Sequence, residues 1–240
     1  MQKTIFGVLV AAAVAAVPVA MLAQSKPTAA TYITKEEVDK VGAQPGTDRT
    51  IKVMDIGSEH FSVGIIHRGA TAAAGAAGRG AAGGGAAAGG RGAAGGGAAA
   101  AGGRGAAGGG RAAAPPPDCG DLTSTAPASG GAAGMIAHDS QTEGYLIVSG
   151  GGTLMTGGKI YKGRMSGPDA EVTTTLNGPS CSGTAYGADI VRKDVKVGDI
   201  IIIPAGVPHG WTNITTEVTY LSFRPSQNVL TVGYVNPAIK

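Results

Sequence analysis

The sequence predicts an all-β fold of the sandwich or barrel class. Short runs rich in Val, Ile and Thr recur along the chain, separated by glycine pairs and by Pro, Asn or Asp breaks. No apolar series keeps a helical period over any long stretch. The 240 residues suit a single domain, because much of the chain has a composition that builds no core.

Lys3 precedes an apolar run from Ile5 to Val17, Pro18 breaks it, and Ala23 offers a small residue before Gln24. That order is a secretory signal, so residues 1–23 read as a signal peptide and the protein as periplasmic or secreted. The apolar run falls short of the roughly 20 residues of a membrane span, which argues against a stable membrane anchor. Met21 fits the cleavage site imperfectly, and a retained anchor is the alternative. Export would place Cys119 and Cys181 in an oxidising compartment. Both lie in loop-like sequence and allow one internal pairing, a bridge worth about 4 kcal/mol in the chain-entropy model. Two free thiols are the alternative.

Residues 24–69 are expected to form an arm and the first strands. Thr34-Lys35-Glu36-Glu37 is a capping-box pattern, so a short helix is predicted over Thr34 to Val41. Ile51 to Ile56 and Phe61 to Arg68 have the alternation and branched residues of strands. From Ala70 to Ala114 the chain is almost only Ala, Gly and Arg, with GRGAAGGG recurring at Gly78, Gly90 and Gly103. Such a tract cannot bury enough apolar area to offset its ordering entropy. Residues 70–117 are therefore read as a disordered insertion ended by Pro115-Pro116-Pro117. The tract lacks the aromatic residues on which nucleic-acid bases stack, so no nucleic-acid partner is expected. Its Arg79, Arg91, Arg104 and Arg111, with Lys3, account for five positive charges. Removing them from the formal +3 leaves −2, so the basic balance says nothing about the folded part.

Residues 118–240 carry the remaining strand signals. Strands are predicted at Gly144–Val148, Thr153–Thr156, Val172–Leu176, Ile190–Arg192, Ile200–Ile203 and Val218–Phe223, with hairpin turns at Gly151-Gly152 and Gly157-Gly158. Two segments stand out. In Lys196–Asn213, Gly198, Pro204, Gly206, His209 and Asn213 are spaced G-x5-P-x-G-x2-H-x3-N. In Gly130–Gly150, Gly130, His138, Glu143 and Gly150 fit the pattern G-x5-H-x-H-x(3,4)-E-x6-G, except that Ile136 stands at its first histidine. Over its second half the chain thus resembles the cupin family. The resemblance implies a jelly-roll barrel, a histidine at the end of a strand aimed into it, and a homodimer.

The resemblance also implies that His138, Glu143 and His209 hold a divalent metal ion inside the barrel. Two imidazoles and a carboxylate leave coordination positions open for substrate or oxygen; Fe, Mn, Ni, Cu and Zn all suit this set. The two-residue strand period puts Glu143 and Tyr145 on one face, and His209 and Trp211 on another if that stretch is extended. Ile136, Gln141, Tyr145 and Trp211 are accordingly expected to line the pocket. His67 is the remaining histidine that could come close. Cupins include oxygenases, isomerases and non-catalytic binding proteins, so two functions stay open: a metal-dependent enzyme on a small molecule, or a metal-free binding or sensing module.

Overall fold

The computed structural model describes residues 29–57, 59–71, 116–125, 129–226, 229 and 232–240. The predicted signal peptide, and all but the ends of the predicted insertion, lie outside these residues. The fold is an open antiparallel jelly roll of two sheets. The first holds β1 (Asp48–Asp55), β2 (His60–Gly69), β11 (Glu217–Ser226), the leading half of β5 (Glu143–Thr156) and β9 (Ile200–Ile203). The second holds β8 (Val191–Lys196), the trailing half of β5, β10 (His209–Thr212), β4 (Ala132–His138), β7 (Ser180–Tyr186), β6 (Lys159–Met165) and β3 (Asp118–Cys119).

The long strand β5 belongs to both sheets and turns a corner at Gly150-Gly151-Gly152. Gly150 has φ +65, and a Cβ there would lie 2.0 Å from the Glu217 carbonyl oxygen. Only glycine permits both that backbone and that approach. The glycines predicted as a hairpin turn at 151–152 are thus the corner of one strand. Gly157-Gly158 does turn the chain, but β5 and β6 are not paired across it.

Side-chain alternation sorts the first sheet into two faces. Ile66, Tyr145, Ile147, Val218 and Tyr220 face inward, and each is at most 2 % exposed. Burying a side chain of this size contributes about 1.5–3 kcal/mol. Val63, Ile65, Leu221 and Phe223 face outward, where α1 (Lys35–Gly42) covers them through Val41. The predicted capping box is formed: Glu37 N–H donates to Thr34 Oγ1 at 3.3 Å, and Thr34 N–H to Glu37 Oε2 at 3.0 Å.

Two other expectations need correction. Val172–Leu176 is a π-helical turn rather than a strand. Its threonines bond back to the preceding turn, Thr174 Oγ1 to Ala170 O at 3.1 Å and Thr175 Oγ1 to Glu171 O at 2.8 Å, and so compete with strand pairing. The strand β9 ends at Ile203, and His209 opens the following strand rather than closing this one. Cys119 and Cys181 are bonded, with Sγ–Sγ 2.01 Å and Cα atoms 5.9 Å apart. The bridge crosses β6 above Gly163, where a Cβ would come within 2.9 Å of Cys181 Sγ.

Candidate metal centre

His138 ends β4 in one sheet, His209 opens the neighbouring β10, and Glu143 opens β5 in the other sheet. The corner of β5 folds these strand ends over one another. Glu143 Oε2 lies 3.5 Å from His138 Nε2 and 3.2 Å from His209 Nε2, and the imidazole centroids are 5.1 Å apart. All three side chains are buried. One donor atom from each lies within 4.8 Å of the others; among the described residues no other such group forms.

Hydrogen bonds on the far side of each ring set the tautomer. Ser180 Oγ–H donates to Gly178 O at 2.8 Å, so the 2.7 Å contact with His138 Nδ1 must use a proton on the ring. His209 Nδ1 faces the Val207 carbonyl at 3.1 Å, and a carbonyl only accepts. Both neutral rings therefore carry hydrogen on Nδ1 and aim a lone pair on Nε2 at the Glu143 carboxylate. Burial lowers the pKa of His138, which opposes a proton there. Three electron-rich atoms face one point, and a cation relieves their repulsion.

Glu143 is held from behind. Arg224 Nε–H donates to its Oε1 at 2.9 Å and Asn177 Nδ2–H at 2.7 Å; Tyr145 O–H donates to Oε2 at 2.5 Å. Burial opposes ionisation of Glu143, but the Arg224 charge behind it favours the anion, and the carboxyl stays well below its ordinary range. Burial and then Glu143 push Tyr145 upward, so its hydroxyl serves as a donor rather than a base. Arg224, wholly buried, also donates through Nη2 to Asp48 Oδ2 at 2.5 Å. Arg224 Nη1 and Asp48 Oδ1 have no partner among the described residues.

The cavity at the trio measures about 20 Å³. That is room for one ion or one water. Ile136 and Tyr145 line it, as do Asp48, Ile66, Arg68, Val172, Asn177 and Arg224. Gln141 is buried nearby but is not in the wall; in its satisfied orientation the amide donates to Leu176 O and Asn177 O. Trp211 also stands outside the wall, with its ring 5.4 Å from that of Tyr220. His67 is half-exposed and bonded to Thr219 Oγ1 at 2.9 Å, away from the trio. Sequence reasoning missed Arg224, Asp48 and Asn177. Arg224 carried one signal, its even-numbered place after Val218 and Tyr220 on the inward face of a strand.

No family model and no curated protein matches the chain. Among solved structures, CapF with the inhibitor 3-isopropenyl-tropolone aligns at 13 % identity and TM-score 0.29, over 76 % of this chain and 28 % of that one. Oxalate oxidase in complex with glycolate aligns at 12 % identity and TM-score 0.27, over 78 % of this chain and 55 % of that one. Peruvianin-I, a cysteine peptidase from Thevetia peruviana latex, aligns at 11 % and 0.28, over 85 % and 82 %. This chain thus spans less than two thirds of the first two. The likeness is one of strand arrangement, and no chemistry carries over from it.

Proposed function

We propose that this chain is an exported cupin that holds one divalent metal ion on His138, Glu143 and His209. The supporting observation is the pair of fixed tautomers: both Nε2 lone pairs meet Oε2 of a carboxylate that stays ionised. The donor set is two nitrogens and one oxygen, which suits Fe, Mn, Ni, Cu or Zn and leaves positions open. A bound ion would supply Lewis acidity or oxygen activation to a small molecule, the chemistry of an oxygenase or isomerase. The chain's own residues present Oε2 in a cavity with room for one ion or one water, and offer the Tyr145 hydroxyl as a fixed donor.

Titration of tag-free, chelator-stripped protein tests this reading. One ion per chain should bind at a Kd of about 1 μM or tighter, near −8 kcal/mol. His209→Ala should weaken binding more than about 100-fold, beyond the loss typical of outer contacts. Equal weak binding by both proteins overturns the proposal. In that event a second reading takes over, which one observation favours. Arg224 already neutralises Glu143, so the trio can stand without an ion as the polar floor of a metal-free binding module. Export is part of the proposal, and N-terminal sequencing of the mature protein checks it.

A further inference from the structure

A cavity that admits one ion or one water needs a way in. Its wall is uneven in this respect. Asp48, Ile66, Arg68, Ile136, His138, Glu143, Tyr145, His209 and Arg224 all lie within β-ladders. Val172 and Asn177 do not; they belong to the loop between β6 and β7 that carries the π-helical turn. Moving the backbone at any of the nine breaks interstrand bonds that hold the sheets. Moving it at Val172 and Asn177 breaks no ladder bond.

The loop has the construction of a lid. Its base is closed where Ser166 N–H donates to Ser180 O at 2.7 Å and Ser180 N–H to Ser166 Oγ at 3.1 Å. Gly167 stands just above the base on one side and Gly178, at φ +78, on the other. A few terminal residues that absorb dihedral change are what a hinge requires. Between them Glu171 and Thr174 face solvent, while Val172, Leu176 and Asn177 face inward. Among the described residues, four sets of side-chain bonds hold the turn down: Asn177 to Glu143, Gln141 to the carbonyls of residues 176 and 177, a 2.6 Å hydroxyl contact between Thr173 and Ser166 at the base, and a long 3.5 Å contact from Thr50 Oγ1 to Thr175 O.

We propose that the loop from Gly167 to Gly178 is the entrance to the site. Val172 is its plug and Asn177 its latch on Glu143, so the ion or a small ligand reaches the trio when this turn lifts. Lifting it removes one of the two hydrogen bonds on Oε1. Access is thereby coupled to the freedom of the carboxylate that faces the trio. The proposal rests on the metal reading for its ligand, and on the wall composition alone for the moving part.

Two measurements test it on the full mature protein. The first follows zinc uptake by the stripped protein and zinc removal by excess chelator, in stopped flow. Val172→Ala should accelerate both rates about tenfold and change the equilibrium affinity far less. Asn177→Ala should accelerate both rates, and removal more than uptake, because the lost hydrogen bond also loosens Glu143 and outer contacts carry affinity. Ile66→Val trims the wall on a ladder strand and should leave the rates near those of the unaltered chain. Unchanged rates in both loop variants, or an equal acceleration by Ile66→Val, overturn the proposal. The second measurement is amide hydrogen exchange of the unaltered protein. Amides of residues 172–177 should exchange by local opening, well before those of β4 and β11. Exchange of the turn together with those strands overturns the proposal even if no zinc binds; absence of zinc binding by itself overturns only the metal reading.

Discussion

Ile136 of β4 lies directly opposite His209 of β10 in the ladder, and both side chains border the cavity. Ile136 also precedes His138 by two residues on the same strand face. A histidine at position 136 would therefore enter the site from the strand that already carries His138. Ile136→His should raise zinc or manganese affinity by about tenfold or more, on the scale of one added hydrogen-bond-sized contact to the ion. It should also fill an open position, so binding of a small anion such as azide to the cobalt-loaded protein should weaken. Titration and the visible spectrum of the cobalt form check both. Unaltered affinity would place residue 136 outside reach of the ion.

Arg224 sits between Glu143 and Asp48 with no exposure to solvent. Removing one partner of a buried ion pair strands the other, at about 3–5 kcal/mol. Arg224→Met should lower stability by that order in urea unfolding. Adding Glu143→Gln removes one stranded charge and should recover part of the loss. No recovery in the double variant would mean that Arg224 acts through packing rather than charge.

The sequence made the trio legible because spacing along two signatures fixes which strand ends carry His138, Glu143 and His209. Glu143 and Tyr145 followed from a period of two. The outer support was not legible. Asp48, Asn177 and Arg224 come from three distant parts of the chain, and only the corner of β5 and the pairing of β11 bring them behind Glu143. Trp211 was misplaced because parity gives a face but not a depth along the strand; its ring fills space beside Tyr220. The turn at Val172–Leu176 was read as a strand since β-branched residues favour strands. There the threonine hydroxyls had nearer partners in their own backbone.

Acid should act in one direction on the stripped protein. The folded pKa of His138 is lowered, chiefly by burial, and that of Glu143 is lowered by Arg224 against the effect of burial. A group whose folded pKa lies below its unfolded value takes up its proton more readily when unfolded. Its contribution is present above the unfolded value, near 6.5 for His and near 4.3 for Glu, and is lost as pH falls through the folded value. The thermal midpoint should fall from pH 7 toward pH 4, first through His138 and then through Glu143. Zinc affinity should fall over the same range, because protons compete for Nε2. His138→Gln should flatten the upper part of the stability profile; a profile that keeps its slope there assigns the effect elsewhere.

The corner of β5 is the joint on which the site depends. Gly150 and Gly206 both hold left-handed backbone, with φ +65 and +77. Alanine at either position carries the left-handed strain of about 1–2 kcal/mol. At Gly206 nothing among the described residues lies within 4 Å of the added Cβ, whereas at Gly150 it would stand 2.0 Å from Glu217 O. That oxygen belongs to β11, which pairs with β5 on one side and β2 on the other, so it cannot move alone. Gly150→Ala should therefore destabilise the fold by clearly more than Gly206→Ala, about 2 kcal/mol beyond it on the scale of overpacking. The corner also sets how Glu143 in one sheet meets the histidines of the other. Gly150→Ala should weaken metal binding in protein that remains folded, whereas Gly206→Ala should affect it little. Equal losses in the two variants, in urea unfolding and in zinc titration, would show that the corner yields without cost and that the approach of the two sheets is fixed elsewhere.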